Sequence, residues 1–120
     1  NALRSLLRQH EIFYSNSVEG GHLGCVSACG PRLVREYNLT QIATPASLQA
    51  RAVLVSGVHK VGGESFLSLN VHLPNTAAKR LIFLRELRKW DVLCGPGRKY
   101  VLWDFNCVLN SADTSFGTQD

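Results

Sequence analysis

Between Ser65 and Leu73 the chain sets Leu67, Leu69, Val71 and Leu73 in strict alternation with Ser68, Asn70 and His72. Successive side chains of a strand point to opposite faces, so this pattern makes a strand with one apolar and one polar face. Pro74-Asn75 ends it, and from Thr76 to Val92 the period changes, with Phe83, Leu84, Leu87 and Trp90 recurring on one helical stripe. Gly95-Pro96-Gly97 stops the helix. Lys99 to Phe105 then supplies a second strand through Tyr100-Val101-Leu102-Trp103. Strand, helix and strand in this order form a crossover unit, whose two strands lie parallel in one sheet. The helix carries Lys79, Arg80, Arg85 and Lys89 on what is predicted to be its solvent side.

Upstream, Ala50 to His59 is a β-branched run with Val53, Val55 and Val58, and the Gly62-Gly63 turn joins it to the alternating strand as a hairpin. A purely parallel sheet has no need of that hairpin, so the sheet is mixed and the fold class is α/β (α+β). Asn1 to His10 has Leu3, Leu6, Leu7 and His10 at helical spacing and predicts a short helix. Ile12 to Tyr14 reads as a strand, and Leu23 to Cys29 as a small-residue strand that stops at Gly30-Pro31. Arg32 to Thr44 fits neither period.

At 120 residues, 45% hydrophobic and 18% charged, the sequence suits one domain with a modest core. It holds no apolar run of bilayer length and no signal-peptide stretch, which argues against a membrane partner. It begins at Asn1, has no methionine and ends on a polar stretch, so the expectation is a partial domain over 1–120, truncated at both ends. Cys25, Cys29, Cys94 and Cys107 form no CxxC pair and no zinc-like spacing with histidine. Reduced thiols favour an intracellular setting, the nucleus included. Residues 76–99 hold seven lysines and arginines against Glu86 and Asp91, a basic segment that suits an acidic partner such as nucleic acid, although a solvated helix face explains it as well.

Two clusters carry chemistry. In Asp104-Phe105-Asn106 a strand aims the acid and the amide at one face while Trp103 and Phe105 pack on the other. Such a pair orients a water and donates to a phosphate oxygen, but alone it more often makes a turn. The second cluster is Asn70-Val71-His72-Leu73-Pro74-Asn75. There Asn75 stands where it can N-cap the following helix, for about 1 kcal/mol, and His72 reads equally as a half-buried, hydrogen-bonded histidine.

Taken together, these clusters resemble the endonuclease/exonuclease/phosphatase superfamily, and most closely the endonuclease of non-LTR retrotransposons. There a strand ending Asn-Val-Tyr-Ala-Pro-Asn precedes a helix and a strand ending Gly-Asp-Phe-Asn. Phe13-Tyr14-Ser15 with Gly24-Cys25-Val26, and Arg51-Ala52-Val53, are similar to further family segments. The resemblance implies the central part of a four-layered α/β sandwich with mixed, mainly antiparallel sheets. It also implies magnesium-dependent hydrolysis of a phosphodiester, in DNA more than in RNA, within a protein that carries a reverse transcriptase.

Carried over by position, Asp104 places the attacking water, Asn106 stabilises charge on the phosphate, and Asn75 holds the scissile phosphate, with Asn70 and His72 as substrate contacts. The resemblance puts the metal-binding glutamate upstream of Asn1 and a Ser-Asp-His element downstream of Asp120, so this chain supplies no metal ligand set and is expected to be inactive alone. His72 replaces the family's aromatic residue, and Trp103 stands where the family has glycine. These departures support the alternative of a catalytically dead remnant that acts at most as a basic nucleic-acid-binding module. Trp103 is expected to strain the strand and shift Asp104.

Overall fold

The computed structural model describes residues 9–15, 24–48 and 50–104, and of Asp104 the backbone. The helix expected over Asn1 to His10 lies almost wholly outside them, as do Phe105 and Asn106. Strands β1 (Glu11–Tyr14) and β2 (Val26–Cys29) are followed by helix α1 (Pro31–Glu36) and strand β3 (Tyr37–Ile42). A short 3-10 turn at Ala46–Leu48 leads to β4 (Ala52–His59) and β5 (Ser65–His72). Helix α2 (Ala77–Arg88), a second 3-10 turn at Asp91–Cys94 and β6 (Arg98–Asp104) complete the order.

The segment Arg32 to Thr44, which fits neither period, is both things in turn. Pro31 starts a short helix, since its missing N–H belongs to a group without an intrahelical partner anyway, and Tyr37 then pairs as a strand. The expected hairpin is present, with β4 antiparallel to β5 from Ala52↔Val71 to Val58↔Ser65. β3 adds antiparallel to the other side of β4, and β6 runs parallel to β5, giving a four-stranded sheet in the order β3-β4-β5-β6. β1 and β2 form a separate antiparallel pair.

The alternation in β5 divides the core. On one face Leu69, Val71 and Leu73 join Ala52 and Leu54 of β4 and meet Phe83, Leu87 and Trp90 from the helical segment. Side chains as completely enclosed as Leu54 and Val71, both at 0% exposure, contribute about 1.5–3 kcal/mol each. Leu84 does not share this stripe, as the sequence had suggested: it lies 37% exposed, roughly 100° around the helix from Phe83. Arg80 is half-buried, unlike Lys79, Arg85 and Lys89, which face solvent. On the opposite face Val53 and Val55 pack against Phe13 and Cys25. Helix, sheet and strand pair therefore stack as three of the four layers expected.

Polar contacts fix the spacing of the two sheets. Asn70 on the polar face of β5 donates its amide to the Val26 carbonyl at 2.9 Å and to Ser27 Oγ at 3.3 Å. Gln41 of β3 donates to the Tyr14 carbonyl at 2.6 Å. Ser15, only 3% exposed, accepts from the Cys25 N–H at 2.9 Å and closes the β1–β2 end. Beside it Gly24 lies so near the loop before β4 that a Cβ there would fall on the Ala50 carbonyl.

Adding that methyl must move backbone rather than a side chain. Gly24→Ala is therefore expected to destabilise by about 2 kcal/mol or more, whereas Gly30→Ala, whose Cβ meets nothing within 4 Å, should change stability by less than about 0.5 kcal/mol. Urea unfolding of the two variants beside the parent measures the difference.

Candidate functional site

The β5–β6 ladder runs in parallel register from Phe66↔Arg98 to His72↔Asp104. Both strands therefore finish at the same edge of the sheet. Asn75, three positions beyond His72, is exposed at that edge, and Asp104 ends the neighbouring strand. Asn106, expected to complete the set, lies outside the described residues.

Asn75 does not cap the helix. The cap is Thr76, whose Oγ1 accepts from the Lys79 N–H at 3.3 Å. A threonine one position later satisfies the unpaired amides of the first turn and leaves the Asn75 side chain clear of that duty.

Two arginines hold the segment between β5 and α2. His72 donates its N–H to the Arg51 carbonyl at 2.9 Å, and the Arg51 guanidinium returns a bond to the His72 carbonyl at 3.2 Å. Arg80, from the first turns of α2, donates to the Pro74 carbonyl at 3.3 Å. The chain around Leu73 and Pro74 is thus clamped from strand and helix, with Leu73 buried beneath it. Arg80 was expected on the solvent side, because cationic spacing alone does not tell a solvent-facing arginine from one that turns back to a carbonyl.

Asn70 stands within the sheet interface, and its amide hydrogens go to β2. The ladder continues without interruption through Val71↔Trp103, and Trp103 packs, partly buried, against the core on the α2 face.

Among the described residues no group of three histidine, cysteine, aspartate or glutamate side chains could hold a metal ion. Hard divalent cations take oxygen ligands, and among the described residues this edge offers one strand-end carboxylate residue, Asp104. The described residues alone therefore do not fit a magnesium site. Cys25, Cys29 and Cys94 are free thiols, and burial, followed by the Glu11 carboxylate, pushes the Cys29 thiol above its ordinary value.

A groove of about 640 Å³ lies at the other end of the sheet, lined by Tyr37, Phe66, Ser68, Arg98 and Tyr100 among others. Its floor is an edge-to-face row, with Tyr37 and Phe66 centred 5.2 Å apart and Phe66 and Tyr100 6.1 Å apart. The Phe66 ring covers Gly57, where any side chain would strike it. This groove is distant from the His72–Asp104 edge by the length of the strands and contains none of the residues selected from the sequence.

No protein-family model matches the chain, and no curated protein matches it in sequence. Among solved structures it superposes on the endonuclease domain of TRAS1, a telomere-specific non-LTR retrotransposon, with a TM-score of 0.64 at 14% identity, over 86% of this chain and 43% of that one. The human Nocturnin catalytic domain with bound sulfate anion aligns with a TM-score of 0.48 at 19% identity, over 88% of this chain and 45% of that one. The chain spans less than half the length of both. At such identities it is the arrangement of the backbone that is shared, and the described strands and helices are those of the endonuclease/exonuclease/phosphatase-type fold.

Proposed function

We propose that this chain is part of a phosphodiester-cleaving nuclease domain, and that the shared edge of β5 and β6 is where it handles phosphate. The observation that supports this most is the register His72↔Asp104, which brings the two motif-bearing strand ends together at one place in the fold of a nuclease. At that edge Asn75 would donate its amide to the scissile phosphate, and Asn106 would donate to the oxygens on which charge grows. Asp104 would accept a hydrogen bond from the attacking water and orient it. His72 would stand beside the phosphate in place of an aromatic residue.

The arginine clamp explains how Asn75 could act although exposed. Arg51 and Arg80 fix the backbone that carries it, which limits the ordering needed when phosphate arrives. Asn70 takes a different part in this proposal from the one read in the sequence. With its amide committed to β2, it is a positioning residue that keeps the two sheets in step rather than a contact to substrate.

The substrate in this reading is DNA, and the setting is a retrotransposon-type protein with a reverse transcriptase, acting inside the cell. Magnesium belongs to the proposal for the complete domain, where it would polarise the phosphate, with ligands drawn from outside residues 1–120. The second reading, a remnant that binds nucleic acid through basic charge, draws on the concentration of cations in α2.

Two measurements separate these roles. Residues 1–120 alone should give no magnesium-dependent nicking of supercoiled plasmid; robust nicking lost in Asp104→Ala would show the chain to be complete. In the longer protein, Asn75→Ala should lower the nicking rate on the order of a hundredfold with stability changed by less than about 0.5 kcal/mol. Asn70→Ala should instead cost about 1–3 kcal/mol, because it leaves the Val26 carbonyl without its donor. Equal nicking by Asn75→Ala and the parent would favour the remnant.

A further inference from the structure

The outward face of α2 is not the polar surface that an exterior helix normally presents. Leu81 is 51% exposed, Ile82 59% and Leu84 37%. On a helix, positions 81, 82, 85, 88 and 89 fall together on the side opposite Phe83 and Leu87. Leu81 and Ile82 therefore share their face with Arg85, Arg88 and Lys89, all exposed. An open groove of about 600 Å³ runs along Ile82, Arg85, Glu86, Arg88 and Lys89.

The net charge of the whole molecule equals that of the α2 segment, of which Arg85, Arg88 and Lys89 lie on this face. From Lys79 to Lys89 there are five cations against Glu86, a net of +4, so the remaining eight cations and eight acids of the chain cancel. Glu86 is engaged with Lys89 at 3.3 Å, while Arg85 and Arg88 have no acidic partner among the described residues.

We infer that this face of α2 is a docking surface for an acidic amphipathic helix of a partner protein. Single exposed aliphatic residues are ordinary on a protein surface, but adjacent ones framed by unpaired cations make a patch that is both apolar and complementary to acid. The partner's leucines would lie across Leu81 and Ile82, and its carboxylates would reach Arg85 and Arg88. That is the groove mode of helix recognition, with anchors repeating at three and four residues. A second copy of this chain is disfavoured as the occupant, because two such faces carry like charge. A phosphate backbone would satisfy the arginines but leave the aliphatic side chains against a charged ligand. The inference does not depend on the role of Asp104.

The test uses the 120-residue chain and three probes: a labelled helical peptide with leucines at i, i+3, i+4 and i+7 and glutamates between, a duplex DNA oligonucleotide, and vesicles of mixed phosphatidylcholine and phosphatidylserine. Fluorescence anisotropy should show the peptide bound more tightly than a scrambled peptide of the same composition. The double variant Leu81→Ser/Ile82→Ser should weaken it about tenfold or more, and Arg85→Glu/Arg88→Glu similarly. Ile82→Gln, which preserves helix propensity, should weaken it in the same direction, with an unchanged thermal midpoint confirming that the fold is intact. No preference over the scrambled peptide would overturn the inference, as would peptide binding indifferent to the serines. DNA or vesicles binding more tightly than the peptide, with loss in the arginine variant, would overturn it in favour of an electrostatic surface.

Discussion

The parallel pairing of β5 with β6 is the interaction on which the rest of this structure depends. Parallel neighbours cannot be joined by a tight turn, so the chain must leave one edge of the sheet, cross a face and return. Here α2 makes that crossing, and in doing so it buries the apolar side of β5 under Phe83 and Leu87. The consequence is geometric: two strand ends separated by about thirty residues of sequence finish together. Neither end has a site by itself.

The other constraint acts between the sheets. β5 has a polar side, and polar groups enclosed between two sheets must find partners. Asn70 does so by donating to β2, and at the exposed margin Gln41 adds a bond toward β1 from the far strand. Between these bonds Val53 and Val55 fill the layer against Phe13 and Cys25, while Gly24 lets the backbone of the strand pair come close to the Ala50 loop. Apolar packing provides the attraction, and the two amides fix the relative position. A site built at the end of β5 inherits that position through Asn70 and the clamp of Arg51 on His72.

Much of this was legible in the residues. The alternation from Leu67 to Leu73 predicted a strand with one apolar and one polar face, and the crossover predicted the parallel register. Some readings failed for identifiable reasons. Asn75 and Thr76 are both good capping residues, and only the backbone at Thr76, extended just before the first helical turn, decides between them. Leu84 fits a stripe when spacing alone is counted, but the sheet covers a narrower arc of the helix than the apolar residues occupy. Arg51 and Arg80 were missed because their bonds go to carbonyl groups, which leave no mark in the pattern of side chains.

The central claim is that the two motif-bearing strands end side by side. Nuclear Overhauser contacts in the isotopically labelled chain measure this directly. Parallel pairing predicts cross-strand contacts that step together along the ladder, joining Leu69 with Val101, Val71 with Trp103 and His72 with Asp104. Contacts running the other way, Phe66 with Asp104 and His72 with Arg98, would place Asn75 and Asp104 at opposite edges of the sheet and contradict the account.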